Sequence, residues 1–138
     1  MKDFAPRTIE EFGAKANCML FAYDKEKDKS KSILDYNLWG FRTTPIKEIV
    51  EKSARDLGIV VRKISSQEEC PDDKYLIAFF LHAPQNEYGD YDYHFIRREL
   101  DGKWVEKPNW NDSPCVADFH VLEKAFGNPT FFVIEGIV

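Results

Sequence analysis

The sequence predicts an α+β domain: N-terminal helices packed on a mainly antiparallel sheet of about five strands, within a single domain over residues 1–138. Three observations carry this. Apolar residues recur at helical spacing up to Gly58. Beyond it the pattern turns to β-branched runs and strict alternation, with one short helix inserted. Asp101-Gly102 sits between two alternating segments, where a hairpin turn belongs. Hydrophobic residues at 43% and aromatic residues at 14% suffice for one packed core.

The elements follow in order. Thr8-Ile9-Glu10-Glu11-Phe12 suits a short helix, with Thr8 as N-cap and Glu11 closing a capping box; Gly13 ends or bends it. A second helix runs from about Asn17, a favourable cap, to Tyr23. Asp24 to Thr44 is loop-like and contains Gly40. Thr43 or Thr44 can cap the next helix, with Pro45 in its first turn. Its apolar face is Ile46, Ile49, Val50, Ala54 and Leu57, and Gly58 stops it. Ile59 to Ile64 reads as a strand, and Tyr75 to Leu81, continuously apolar, as a central one. Tyr91 to Leu100 alternates: Tyr91, Tyr93, Phe95 and Arg97 share one face, Asp92, His94, Ile96 and Arg98 the other. Lys103 to Lys107 returns as the next strand. Asn109 to Pro114 forms a turn, Ala117 to Phe126 a helix, and Thr130 to Val138 the final strand.

Several function classes are disfavoured. A net charge of −5 argues against a general nucleic-acid surface. The run from Lys25 to Lys31 mixes signs and reads as a solvated loop. No segment reaches the ~20 apolar residues of a membrane helix. The opening "MKDFAPRTIEEF" lacks an apolar core, so no Sec-type signal peptide is expected. Three cysteines without a CxxC pattern suggest free thiols in a reducing compartment, hence a cytoplasmic protein or one exported by a route without that signal. No cofactor is expected. The histidines His82, His94 and His120 and the cysteines show no tight ligand spacing, so no metal site is expected either.

Chemistry centres on "ANCMLFAY", residues 16–23. Cys18 follows the cap Asn17, where free backbone N–H groups and the helix dipole favour a thiolate and can contribute to an oxyanion hole. Equally, Cys18 suits a small buried hydrophobe beside Met19, Leu20 and Phe21. His94 supplies a candidate base. Glu106, twelve residues later, orients that imidazole if both share a face. Register decides this. A two-residue Asp101-Gly102 loop pairs 98 with 105 and puts Glu106 on the wrong face. A three-residue loop, Leu100-Asp101-Gly102, with Gly102 left-handed in a bulge, pairs 98 with 104 and 96 with 106 and joins the two side chains diagonally. Asp-Gly suits both turns.

With these residues in view, "NCMLFAY" resembles the nucleophile helix of NlpC/P60-type cysteine peptidases, and "YHFIRRELDGKWVEKP" resembles their histidine strand and the strand returning from it. The pattern is closer still to a bacterial group with NCY-x-YAL, DYHFYR and DG-x-WSHKPG. The resemblance implies a compact papain-like fold, Cys18 as nucleophile, His94 as base and Glu106 as orienting residue. It implies a protein or peptide substrate and hydrolysis of an amide bond, as peptidase, amidase or deamidase. Glu106 stands where those proteins often have histidine, and Met19 where they commonly have serine or tyrosine.

Other residues compete. Cys115 precedes a helix containing His120 and is a rival nucleophile, or a semi-buried cysteine at a helix start. Cys70, in "EECPDD", has acidic neighbours that disfavour a thiolate. Arg97 and Arg98 suit an acidic substrate group or, more simply, an exposed strand surface. Trp104 and Trp110 suit a cleft or a sheet cover. Asp92 competes with Glu106 as orienter. Two further expectations are an inactive binding or adaptor module on the same scaffold, and a bacterial effector or toxin that modifies a protein target.

Overall fold

The computed structural model of the chain describes residues 1–26, 45–82 and 92–138. Among the described residues it is α+β, with three α-helices and a six-stranded antiparallel sheet. The helices are α1 (Cys18–Ala22), α2 (Ile46–Asp56) and α3 (Phe119–Phe126). The strands are β1 (Ile59–Ile64), β2 (Leu76–His82), β3 (Asp92–Arg98), β4 (Trp104–Glu106), β5 (Cys115–Val116) and β6 (Thr130–Ile137). Their spatial order is β1-β6-β2-β3-β4-β5.

The expected meander is therefore corrected in two places. β6 inserts between β1 and β2, and the physical reason is its two-sided burial. Phe132 and Ile134 enter one core, Val133 and Phe131 the other, which suits an inner strand. The sixth strand, β5, is only two residues long and pairs with β4 at the sheet edge. It occupies Cys115 and Val116, between the expected turn and the expected helix, which the sequence assigned to neither. The following helix consequently begins at Phe119 rather than Ala117, with Asp118 accepting the Val121 N–H at 3.2 Å.

Thr8 to Phe12 makes one turn rather than a helix. The capping box is nevertheless complete: Thr8 N–H donates to Glu11 Oε1 at 2.9 Å, and Glu11 N–H donates to Thr8 Oγ1 at 3.2 Å. Pro45 sits at the N-cap of α2, not in its first turn. The alternative caps Thr43 and Thr44, Gly40, Tyr91 and most of the Lys25–Lys31 run lie outside the described residues.

The sheet separates two apolar layers. On one side α1 and α2 cover Ile59, Val61, Ile77, Phe79, Phe95, Phe132 and Ile134. On the other, α3 lays half-buried Phe119, Leu122 and Phe126 over Ala78, Phe80 and Ile96. Every residue of α1 is buried, so this five-residue helix is held by packing; alone it would be too short to persist. The N-terminus joins the sheet as well, since Lys2 bridges Ile137. A side chain at Gly136 would meet the Lys2 carbonyl oxygen at 2.6 Å, which explains glycine there. Among the described residues no helix is long and apolar enough to cross a membrane.

Candidate functional site

Asn17 starts α1 as read: its side chain accepts the Leu20 N–H at 2.8 Å. That places Cys18 at the first helical position, where its backbone N–H has no intrahelical acceptor. The side chain of Cys18 is 7% exposed, so the thiol lies at the rim of the core rather than in open solvent.

The β3–β4 hairpin adopts the three-residue register. Arg98 pairs with Trp104 and Arg97 with Val105, and Glu99 N–H reaches Lys103 O at 2.8 Å. Gly102 has φ of +90°, the left-handed geometry that this loop requires. Glu106 consequently faces the same way as His94, and His94 Nε2 lies 2.6 Å from Glu106 Oε1. Asp92, the competing orienter, is exposed, and Glu106 takes the ring nitrogen instead.

The Cys18 side chain lies near enough to the His94 ring to help raise its pKa, so the three predicted residues are neighbours. Alternation puts His94 on the α3 side of the sheet with Phe80 and Ile96, yet it meets a residue of α1. The β3–β4 ladder ends at Arg97–Val105, and β3 continues past it to His94. Past Arg97, no residue of β4 pairs with β3 among the described residues.

The electrostatics of the ring follow from its neighbours. Burial disfavours a charged imidazole, but the hydrogen bonds and negative charge of Cys18 and Glu106 outweigh it and raise the His94 pKa to about 9. An imidazolium at neutral pH is the partner that a thiolate needs.

The rival residues separate cleanly. Cys115 is exposed on β5 opposite Glu106, and burial, Glu106 and Asp112 all raise its thiol pKa. His120 is turned outward on α3 with Nδ1 3.9 Å from Glu123, rather than toward Cys115. Cys70 is buried and donates to Pro71 O and Lys74 O; its thiol pKa is raised chiefly by burial, and Asp72 adds only a minor share. Trp104 stacks on Phe119 at 5.3 Å and covers the sheet. Trp110 lines a hollow of about 220 Å³ between residues 12–15, which lead into α1, and the 107–114 loop, which follows Glu106. Lys107 braces that loop by donating to the carbonyls of Asn109 and Trp110 at 2.9 and 2.8 Å. Among the described residues no group of three or more His, Cys, Asp or Glu is placed to hold a metal ion.

Arg97 departs most from its reading as an exposed or substrate-facing residue. It is fully buried and donates to backbone carbonyls of α1, a role treated below. Arg98 is half-buried, over the Trp104 ring at 5.9 Å and within 3.4 Å of Gln67 Oε1. The signal for Arg97 was its face: it alternates with Tyr93 and Phe95, an aromatic surface on which a cation has to find buried acceptors. No protein-family profile, curated protein or solved structure matches the chain.

Proposed function

We propose that this chain is a cysteine hydrolase of papain-like type acting on an amide bond of a protein or peptide. The observation that carries the reading is one ring between two partners: His94 Nε2 lies 2.6 Å from Glu106 Oε1, and the Cys18 side chain at the start of α1 is near enough to act on the same ring. Imidazole has two nitrogens, so Glu106 on Nε2 leaves Nδ1 to serve the sulfur. In the first step His94 accepts the Cys18 proton, and the thiolate adds to the amide carbonyl carbon. The Cys18 backbone N–H can donate to the oxyanion. Collapse breaks the C–N bond as the imidazolium protonates the leaving amine, which leaves a thioester. Water, deprotonated by His94, then attacks the thioester, releases the carboxylic acid and returns the proton to sulfur. Peptide cleavage and side-chain deamidation share this sequence and differ only in the amine that leaves.

The test exploits a matched pair of thiols, because Cys18 and Cys70 are each 7% exposed. Alkylation by iodoacetamide is followed peptide by peptide at pH 7. Cys18 is expected to react at least about tenfold faster than Cys70, and His94→Ala to remove that advantage. Equal rates, or a Cys18 rate indifferent to His94→Ala, would overturn the catalytic reading. A second reading, a binding or adaptor module without chemistry, is favoured by the near-burial of Cys18. It predicts that Cys18→Ala retains biological activity while surface substitutions abolish it. Deployment as an effector against a protein target would show in the genes that neighbour its own.

A further inference from the structure

We infer that Arg97 is a positioning residue for the Cys18–His94 pair, fastening the far end of the nucleophile helix to the strand that carries the base. This rests on the catalytic reading above and extends it to a residue that touches neither sulfur nor imidazole.

The five residues of α1 cannot hold a helix by their own hydrogen bonds; the following turn gives the N–H groups of Tyr23, Lys25 and Asp24 to the carbonyls of Met19, Leu20 and Phe21, and Ala22 O takes its donor from β3. Arg97 Nη1 donates to Phe21 O at 3.0 Å and to Ala22 O at 3.2 Å. Arg97 Nη2 donates to Arg7 O at 3.3 Å and to Glu99 Oε1 at 3.1 Å. The guanidinium also lies over the Phe21 ring at 4.9 Å and the Phe4 ring at 5.9 Å. One buried fork thus ties together the C-terminus of α1, the N-terminal segment and β3. Its Nε, also buried, has no partner among the described residues.

Distances along the two elements show why this bears on the site. Cys18 to Ala22 spans about 6 Å of helix. His94 to Arg97 spans about 10 Å of strand. The two run in the same sense, with Cys18 at His94, Tyr23 against Phe95 at 5.9 Å, and Ala22 at Arg97. The pair is therefore one end of a short rigid element whose other end is Arg97. A cation at the C-terminal carbonyls is also the favourable sign for the helix dipole. Lysine would keep the charge but offers a point donor on a flexible stem, so it cannot reproduce the four bonds that the guanidinium makes.

The experiment compares Arg97→Lys and Arg97→Met with Val133→Ala, which removes buried volume on the opposite side of the sheet. Thermal midpoint, site-resolved Cys18 alkylation against pH, and the His94 titration by NMR are read for each. Val133→Ala is expected to lower the midpoint and leave the other two unchanged. The Arg97 variants are expected to slow Cys18 alkylation at pH 7 by about tenfold or more and to bring the His94 titration down, as misplacement of reacting groups should. Glu99→Gln loosens the same fork from outside and is expected to move both readouts the same way by a smaller factor, and it carries the test if the Arg97 variants do not fold. Native alkylation and titration profiles in a folded Arg97 variant, or in Glu99→Gln should it be needed, would overturn the assignment. If Cys18 reactivity in the otherwise native chain is indifferent to His94→Ala, the catalytic reading itself falls and takes this one with it.

Discussion

Glu106→Gln isolates what the carboxylate does to His94. The amide keeps the size of the side chain and an oxygen that can accept from Nε2, so the 2.6 Å contact can persist without its charge. The His94 pKa stands at about 9 against an ordinary 6.5 because Cys18 and Glu106 together outweigh a burial that pulls the other way. That net rise corresponds to about 3 kcal/mol in favour of the imidazolium. With the Glu106 charge gone and burial unchanged, the ring should titrate near or below about 7. At pH 8 the protonated share then falls from about nine-tenths to about one-tenth. The assay is NMR titration of the imidazole C–H signals. The chain has three histidines, so His94→Ala assigns the signal by its disappearance. If His94 titrates at or below about 6.5 in the native chain, or stays near 9 in Glu106→Gln, the proposed coupling is wrong.

Three further outcomes follow from the same geometry. Because the folded pKa of His94 lies above its unfolded value, its stabilising contribution is complete below pH ~6.5 and disappears as pH rises through about 9; denaturant midpoints at pH 6 and pH 10 should differ less in His94→Gln than in the native chain, by up to about 3 kcal/mol in unfolding free energy. Asn17→Ala removes the acceptor for Leu20 N–H and should cost about 1 kcal/mol in thermal or chemical unfolding, whereas Asn17→Asp should retain most of the stability. Gly102→Ala meets no atom within 4 Å, so its cost is that of the left-handed backbone alone, about 1 kcal/mol, and an unchanged midpoint would mean that the loop does not hold this conformation in solution.

Where period and caps speak, the sequence was legible. The β-branched run Ile59–Ile64 coincides with β1, and β2 is central as its continuous apolar run implied. The Asn17 cap and the Thr8–Glu11 box are both formed. What the sequence could not carry is contact order. No periodicity says that β6 returns to lie between β1 and β2, and a two-residue strand such as Cys115–Val116 is too short to have a period. The site was half legible for a similar reason. Asp101-Gly102 permits two loop lengths, and the choice between them rests on the left-handed Gly102 and on the pairing of Arg98 with Trp104. Arg97 was placed on the correct face but read as solvent-facing, because the C-terminal carbonyls that receive it belong to a helix about 75 residues away in sequence.

The two positions at which this chain departs from the pattern it resembles now have physical readings. Met19 is fully buried in the core shared by α1 and the sheet, so it faces packing partners rather than an incoming substrate. Its replacement of a polar residue is a change of core, not of entrance. Glu106 is different in kind, since it bonds the base directly. A neutral residue there could orient the ring by hydrogen bonding alone. A carboxylate orients it and also holds the proton on it, which accounts for part of the rise to about 9. The consequence is asymmetric for the proposed chemistry. An imidazolium of that pKa is well placed to accompany a thiolate in the resting site, and it surrenders its proton to the leaving amine less readily than one near 7 would. If the proposed chemistry holds, Glu106 favours formation of the nucleophile at some cost to the acid step, and the balance between those two steps is where this site should differ most from one with histidine in the third position.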